Sequence, residues 1–460
     1  MPRPVEYRPK RRGGGWPLIL LAAATWAGAA ETSDPSAPPA PAAPAESAES
    51  AAASAPVTPA VPSGSAEETE APDTLTGQWF GAGPKMEAQG LSLRLNLTQV
   101  YQSVVHGGLA THRHTGRYTG TYMLELEGDL EKWAGLKGGS FYLMAEGGWS
   151  DGLDASSVGS LFGVNDDAIG DRSSRLVEFH YDQTFLDDRL RLRLGKIDLS
   201  GGFECRGCRI AFDGNAYAND QTAQFLNGAL VNNPTIPFPD RGLGVVLYFQ
   251  PTRSWYLAAG VADAQAEDGE TGFNTAFHGK NYTLSLYETG LLVEAPSAHG
   301  PLPGAYRVGL WYDPQPKPRF DGRGTRRDDV GLYMSFDQRL WRECPEPKDD
   351  QGLGVFARFG FADEAVNPVR FFWSAGAQYT GLLPGRDADV LGIGLARGRT
   401  SDAPGAGFTA AHETVAEVYY NIEVTPWLHV SPHVQYVADP GGLREVPDAV
   451  VVGVRIQATF

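Results

Sequence analysis

The sequence predicts an all-β protein, a transmembrane antiparallel β-barrel of about sixteen strands around a water-filled lumen. Three observations predict it. From Leu91 onward, apolar and polar side chains alternate with a period of two, segment after segment. The connections between these segments are short and long in turn. The chain closes on Ala449-Val-Val-Val-Gly-Val-Arg-Ile-Gln-Ala-Thr-Phe, in which Val450, Val452, Val454, Ile456, Ala458 and Phe460 share one face while Arg455 and Gln457 share the other. A strand of about ten residues crosses a bilayer at a tilt, and outer-membrane barrels characteristically end on an aromatic residue.

Composition supports the same class. Among 460 residues there are 56 Gly and 11% aromatics but only 3 Cys and 5 Met, a turn-rich, β-rich usage. The net charge of −17 leaves no dominant basic patch, so nucleic acid is excluded as a partner.

Residues 1–30 read as a signal peptide. Arg3, Arg8, Lys10, Arg11 and Arg12 precede a short apolar core from Trp16 to Trp26, and Ala27-Gly28-Ala29 supplies small residues for cleavage. Residues 31–72 are Ala, Pro, Ser and Glu, too poor in apolar side chains to offset the entropy of ordering, and read as a disordered periplasmic tether. Residues 73–90 read as a short helical lead-in, bounded by Thr74 and Gly90. The barrel takes residues 91–460.

Alternation then carries the strands. Leu91, Leu93, Leu95 and Leu97 alternate with polar residues, as do Tyr118, Tyr122, Leu124 and Leu126, then Leu190, Leu192 and Leu194, then Tyr306, Val308, Leu310 and Tyr312. Short connections fall at Asp187-Asp188, Pro251-Thr252 and Thr425-Pro426; long ones span 150–173, 199–240, 264–278 and 398–412. Barrels of the outer membrane have short periplasmic turns and long outer loops, whereas a propeller or sandwich has no reason to alternate loop lengths.

In a barrel of this size, function lies in what lines and narrows the lumen. With Asp187-Asp188 as a tight turn, Asp182 faces Arg193 and Thr184 faces Arg191 on the lumen side, with Glu178 further along the same face. Strict alternation turns Lys196 and Asp198 toward lipid; a bulge at Gly195, or the end of the strand there, returns them to water. Alternating carboxylates and guanidinium groups suit a polyhydroxyl solute, because each hydroxyl both donates and accepts. Equally, such pairs satisfy one another and stiffen the wall. The long 199–240 segment is the expected constricting loop, with Phe203, Asp213, Asn215, Asn219, Asp220, Gln221, Phe225, Asn227 and Asn232 as a surface for sugar faces and hydroxyls; the alternative is an outer cap without selectivity. Cys205 and Cys208 form a C-x-x-C in that loop, for which a local disulfide is the first expectation in an exported protein. Cys344 falls in a periplasmic turn, expected on the other side of the membrane and unpaired within the chain; His112 and His114 fall in an outer loop and are expected to be solvated. No metal site, cofactor site or catalytic motif is expected, since neither G-x-S-x-G nor H-E-x-x-H occurs.

With these residues in view, the chain resembles the carbohydrate-selective porins of the OprB family from about Leu75 to Phe460. The resemblance rests on Leu75-Thr-Gly-Gln-Trp, Leu192-Arg-Leu-Gly-Lys-Ile-Asp, Phe225-Leu-Asn, Pro234-Thr-Ile-Pro-Phe-Pro and Tyr248-Phe-Gln-Pro in that order and spacing. It departs at Gln78, where the family usually has an acidic residue, and at the C-x-x-C. The resemblance implies an outer-membrane barrel in a Gram-negative bacterium that passes glucose-like sugars by diffusion. The expected partners are sugars and outer-membrane lipid, with a homo-trimer and a tether contact to peptidoglycan left open. A porin for small anions such as organic acids is the alternative within the class; a barrel hydrolase or adhesion scaffold is the alternative outside it.

Overall fold

The computed structural model describes residues 73–109, 116–200, 212–218, 225–277, 280–345 and 350–460. The expectations for residues 1–72, His112, His114, Phe203, Cys205, Cys208, Asn219, Asp220 and Gln221 lie outside these described residues. Sixteen antiparallel strands close into one barrel, each paired with its neighbours in sequence. In order they are β1 (Leu91–His106), β2 (Gly116–Asp129), β3 (Gly139–Trp149), β4 (Arg172–Phe185), β5 (Leu190–Ile197), β6 (Gly242–Thr252), β7 (Trp255–Asp263), β8 (Thr283–Ala295) and β9 (Leu302–Asp313). A two-stranded hairpin of β10 (Lys317–Pro318) and β11 (Thr325–Arg326) interrupts the circuit. It resumes with β12 (Asp329–Arg342), β13 (Gly352–Phe361), β14 (Val369–Thr380), β15 (Val390–Thr400), β16 (His412–Thr425), β17 (Leu428–Ala438) and β18 (Ala449–Thr459).

Closure follows from the terminal alternation. β18 pairs with β1 from Asn96 opposite Thr459 upward, and the Phe460 N–H donates to the Leu95 carbonyl at 2.9 Å. Closing the cylinder removes the open edges that an unpaired sheet would leave. The lead-in lies across this seam: Leu75 N–H donates to Thr459 O at 2.8 Å, and the Trp79 indole donates to Leu93 O at 2.8 Å. Its helical turn runs from Gly83 to Ala88.

Period two sorts the side chains. Leu194, Tyr306, Val308, Leu332, Phe361, Ile393, Leu395 and Ile456 are exposed on the outer face, whereas Glu125, Asp182, Glu288, Arg358, Glu417 and Arg455 are buried inside. That is the reverse of a soluble protein and fits a lipid exterior. The short connection at 186–189 keeps the expected register, with Asp182 opposite Arg193, Thr184 opposite Arg191 and Tyr181 opposite Leu194.

The glycines have a second use besides turns. Gly290, Gly309 and Gly392 sit directly opposite Tyr256, Tyr333 and Tyr419 on neighbouring strands. Each ring occupies the space a side chain would take at its glycine: a methyl group at Gly392 would stand 2.1 Å from the Tyr419 ring, and one at Gly309 would stand 1.9 Å from that of Tyr333. The bare backbone thus seats large rings along the inner wall.

Candidate functional site: the lumen and its constriction

Two long outer connections turn into the lumen, 150–171 and the segments 212–218 and 225–240. They are held there chiefly by their own backbone, through charged side chains that the strands present inward. Glu417 of β16 accepts the Leu226 and Asn227 N–H groups, both at 2.9 Å. Glu413, two residues earlier on the same face, accepts the Leu161 N–H at 2.8 Å and the Ser160 hydroxyl. Glu288 of β8 accepts the Asp213 N–H at 3.0 Å. Arg358 of β13, fully buried, donates to Leu230 O at 2.8 Å and to Asp213 O at 3.2 Å, with its Nε 3.2 Å from the Asp213 carboxylate. Gln102 of β1 and Gln435 of β17 both donate to the Val164 carbonyl at 2.8 Å. These buried main-chain groups of the loops therefore have partners, as burial demands.

The two loops also clasp each other. Asp166 N–H donates to Leu226 O at 2.8 Å, and Asn232 Nδ2 donates to the Asp166 carboxylate at 3.0 Å. Burial, with the neighbouring charges of Asp167 and Asp198 adding to it, pushes the Asp166 carboxyl up to about 7. Behind the clasp, Phe225 and Leu230 fill the space over Gly394, and Phe225 meets Tyr419 edge-to-face at 5.1 Å.

This arrangement revises several expectations. Phe225 has no exposed surface, being enclosed between Phe356 and Tyr419, so its ring is not presented to a solute. Asn227 is likewise enclosed: its Oδ1 caps the turn Gly228–Val231 by accepting from Ala229 N–H, and its Nδ2 donates to Gln435 Oε1 at 3.1 Å. Asp213, Asn215 and Asn232 are bound up in the anchoring contacts, Asn215 donating to Phe336 O at 3.0 Å. Length foretold a loop inside the barrel and residue type a sugar-facing surface, but these aromatics and amides pack this loop against the wall.

The β4–β5 hairpin places Asp182, Arg191 and Arg193 together. One Asp182 oxygen takes Arg193 Nε at 2.9 Å, and the other takes Arg193 Nη2 at 3.0 Å and Arg191 Nη2 at 2.6 Å. Asp182 is buried, while the Arg191 side chain keeps 32% of its surface exposed and that of Arg193 keeps 14%. Next along the inward face come His180, whose Nδ1 lies 3.4 Å from Asp182, and Glu178. Tyr142 of β3 stacks on His180 at 5.0 Å. Across β1 and β2, Arg94 lies 3.5 Å from Glu125 with 57% of its side chain open.

Lys196 and Asp198 part company. No bulge forms in the β4–β5 ladder at Gly195; Lys196 pairs with Phe179, and Phe179, like Leu194 two residues before Lys196, is exposed to lipid. Its ammonium is instead capped by the carbonyls of Leu176, Asp268 and Glu270, at 2.9, 2.9 and 2.6 Å. The 264–282 connection supplies two of those three carbonyls, and this resolves the charge on the outer face. Asp198 lies just past the end of β5, where it meets Arg241 Nε at 3.4 Å, and its N–H donates to Glu178 at 3.3 Å. Arg241 also reaches Glu146 at 3.1 Å.

Sequence reasoning missed Glu288, Arg358, Glu413, Glu417, Gln102 and Gln435, which anchor the constriction. Their signal was present: each is a polar or charged residue on the inward face of its strand, clearest where the neighbours are apolar or small, as in Phe356-Ala-Arg358-Phe-Gly.

A closed sixteen-strand barrel with inward loops and a polar lumen defines a porin, a diffusion channel rather than an enzyme. The sequence model of the family described as "Carbohydrate-selective porin, OprB family" matches residues 113–460, and the chain belongs to that family. It is a carbohydrate porin of the bacterial outer membrane. It is similar to Porin B of Pseudomonas aeruginosa, at 25% identity over 86% of this chain and 93% of that one. A putative porin, QuiX, of Acinetobacter baylyi is 22% identical over 84% of this chain and 93% of that one. Among solved structures, the high-pH form of Pseudomonas putida OprB superposes with a TM-score of 0.71 at 22% identity, covering 85% of this chain and 99% of that one. Membership of a channel family disposes of the hydrolase alternative.

Proposed function

We propose that glucose-like mono- and disaccharides diffuse passively through this lumen, and that the wall formed by Asp182, Arg191 and Arg193 is where their hydroxyls are handled. The observation that supports this most directly is the sharing of one carboxylate by two guanidinium groups. Asp182 fixes both forks in place, yet each Arg carries five N–H donors, and Arg191 keeps a third of its surface in the lumen. A prepositioned donor array, with one carboxylate offsetting half the charge of the two guanidinium groups, suits an uncharged polyol.

The same compensation weighs against organic acids. Arg94 is matched by Glu125 and Arg241 by Glu146 and Asp198, while Arg191 and Arg193 share Asp182, so each of these wall cations has a carboxylate beside it. Glu178 and Asp198 act with Arg241 at the outer end of this wall, whereas Phe225 and Asn227 hold the constricting loop, and Lys196 holds an outer loop.

Liposome swelling with a graded series of sugars, amino acids and organic acids tests the preference: faster swelling with sugars than with anions of equal size supports it. At the wall, Arg193→Ala is expected to weaken sugar block of single-channel current. Unchanged block in a conducting mutant removes that residue from the assignment. The proposal extends to a Gram-negative host, with residues 1–30 as the export signal and 31–72 as a periplasmic tether. N-terminal sequencing of the mature protein tests the cleavage, and cross-linking in whole envelopes tests a trimer and a peptidoglycan contact.

A further inference from the structure

The outer face of β15 changes character abruptly toward its outer-loop end. Ile393 and Leu395 point outward, 51% and 41% exposed, as lipid-facing residues do. Two residues on, in the same alternation, Arg397 also points outward, between Trp373 of β14 and Thr414 of β16. Two further on, Arg399 stands opposite His412, with the exposed Phe371 on its other flank. Thus two guanidinium groups and an imidazole rise in steps from the apolar band, ringed by Trp373 and Phe371.

Their partners are unequal. Arg399 and Arg370 both meet the Asp402 carboxylate at 3.0 Å, and Arg370 also meets Glu364. Arg397 contacts only the Nδ1 of His412, at 3.1 Å, among the described residues. A guanidinium can only donate, so in this contact Nδ1 accepts and the ring proton sits on Nε2. The pair therefore presents further donors and no acceptor, and Arg397 makes no direct ion pair with a carboxylate among the described residues. A bare guanidinium at the edge of the hydrocarbon is unfavourable on a lipid-facing surface unless an anion meets it there.

We infer that Arg397, Arg399 and His412 form a binding site on the outside of the barrel for the phosphate of an outer-leaflet lipid headgroup. A guanidinium fork matches two phosphate oxygens; Arg397 supplies that fork, His412 adds an Nε2 donor, and Arg399 adds charge from the next step. The outward apolar residues Ile393 and Leu395, with the Phe371 and Trp373 rings, lie where the acyl chains of the same lipid would run. The flanking aromatics and the register place the occupant in the membrane rather than in free solution. The lumen takes no part, so this site is separate from the sugar path.

Native mass spectrometry of the full chain in a zwitterionic detergent tests this, with a diacyl phosphatidic acid, a phosphatidylcholine of the same chains and inorganic phosphate as probes. Phosphatidic acid is expected to remain bound in preference to phosphatidylcholine, and Arg397→Gln/Arg399→Gln is expected to weaken that retention at least fivefold. Arg397→Lys, which keeps the charge without the fork, is expected to fall between the two. Sugar-driven liposome swelling by the double variant serves as the control for a folded barrel. Equal retention of phosphatidic acid by wild type and double variant would overturn the site. Displacement of the lipid by millimolar inorganic phosphate would overturn its assignment to a membrane ligand.

Discussion

Asp182 illustrates how much one carboxylate can do on a lumen wall. It is buried, takes both Arg191 and Arg193, and lies beside His180. Breaking such a set leaves the remaining charges uncompensated, which costs more than the pair was worth. In Asp182→Asn the two guanidinium groups lose that compensation, and the channel is expected to shift toward anion selectivity. Reversal potentials in a salt gradient measure the shift, and an unchanged potential would dissociate this wall from the ion path. The pairing of Asp182 with Arg193 was legible in the sequence, because a short turn centred on Asp187-Asp188 fixes register and register fixes partners. The surroundings of Phe225 and Asn227 were not legible. Nothing in a run of loop residues says which face of the loop meets the wall, and here that face takes the ring and the amide.

At the scale of the element, strand and loop obey different rules. Strands were readable because alternation has one physical cause, a wall with lipid on one side and water or loop on the other. The abundance of glycine was read as a sign of turns, whereas several inward glycines are seats for rings, a fact visible only once neighbours are paired. Gly392→Ala puts a methyl group 2.1 Å from the Tyr419 ring, which also packs on Phe225. The cost is about 1–3 kcal/mol of strain, read as a lower midpoint of heat- or urea-induced unfolding in detergent, with strand content retained at ambient temperature.

The loop clasp titrates. The Asp166 carboxyl is raised from its ordinary 3.8 to about 7, chiefly by burial, so the folded state holds this proton more tightly than the unfolded one. Its contribution is fully present below pH 3.8 and is lost as pH climbs through about 7. Single-channel records are expected to be quiet at pH 5 and to show more open-state noise above neutrality. Asp166→Asn, which carries no charge at either pH, is expected to remove the dependence.

On the scale of the whole molecule, closure is the event that makes a channel. The β1–β18 seam is the last pairing available to the ends of the barrel, and Phe460 extends it by donating to Leu95 O. Deleting Phe460 removes that hydrogen bond and an apolar side chain, and is expected to lower the yield of the compact, heat-modifiable form seen by gel mobility. Equal yield would mean that the seam registers without its last residue. The number of strands, their sidedness and the existence of an inward loop were all legible from patterning and loop lengths. The anchors were not, because each lies opposite a loop residue as many as 271 positions away in sequence, as Val164 does from Gln435.

Those anchors grip main-chain atoms: the amides of Leu161, Asp213, Leu226 and Asn227, and the carbonyls of Val164, Asp213 and Leu230. Every amino acid but proline supplies such an amide, and all of them supply the carbonyl. The obstruction can therefore be respelled at many positions while its bore keeps the same calibre, leaving lineages, or an engineer, free to repaint the gate without rehanging it.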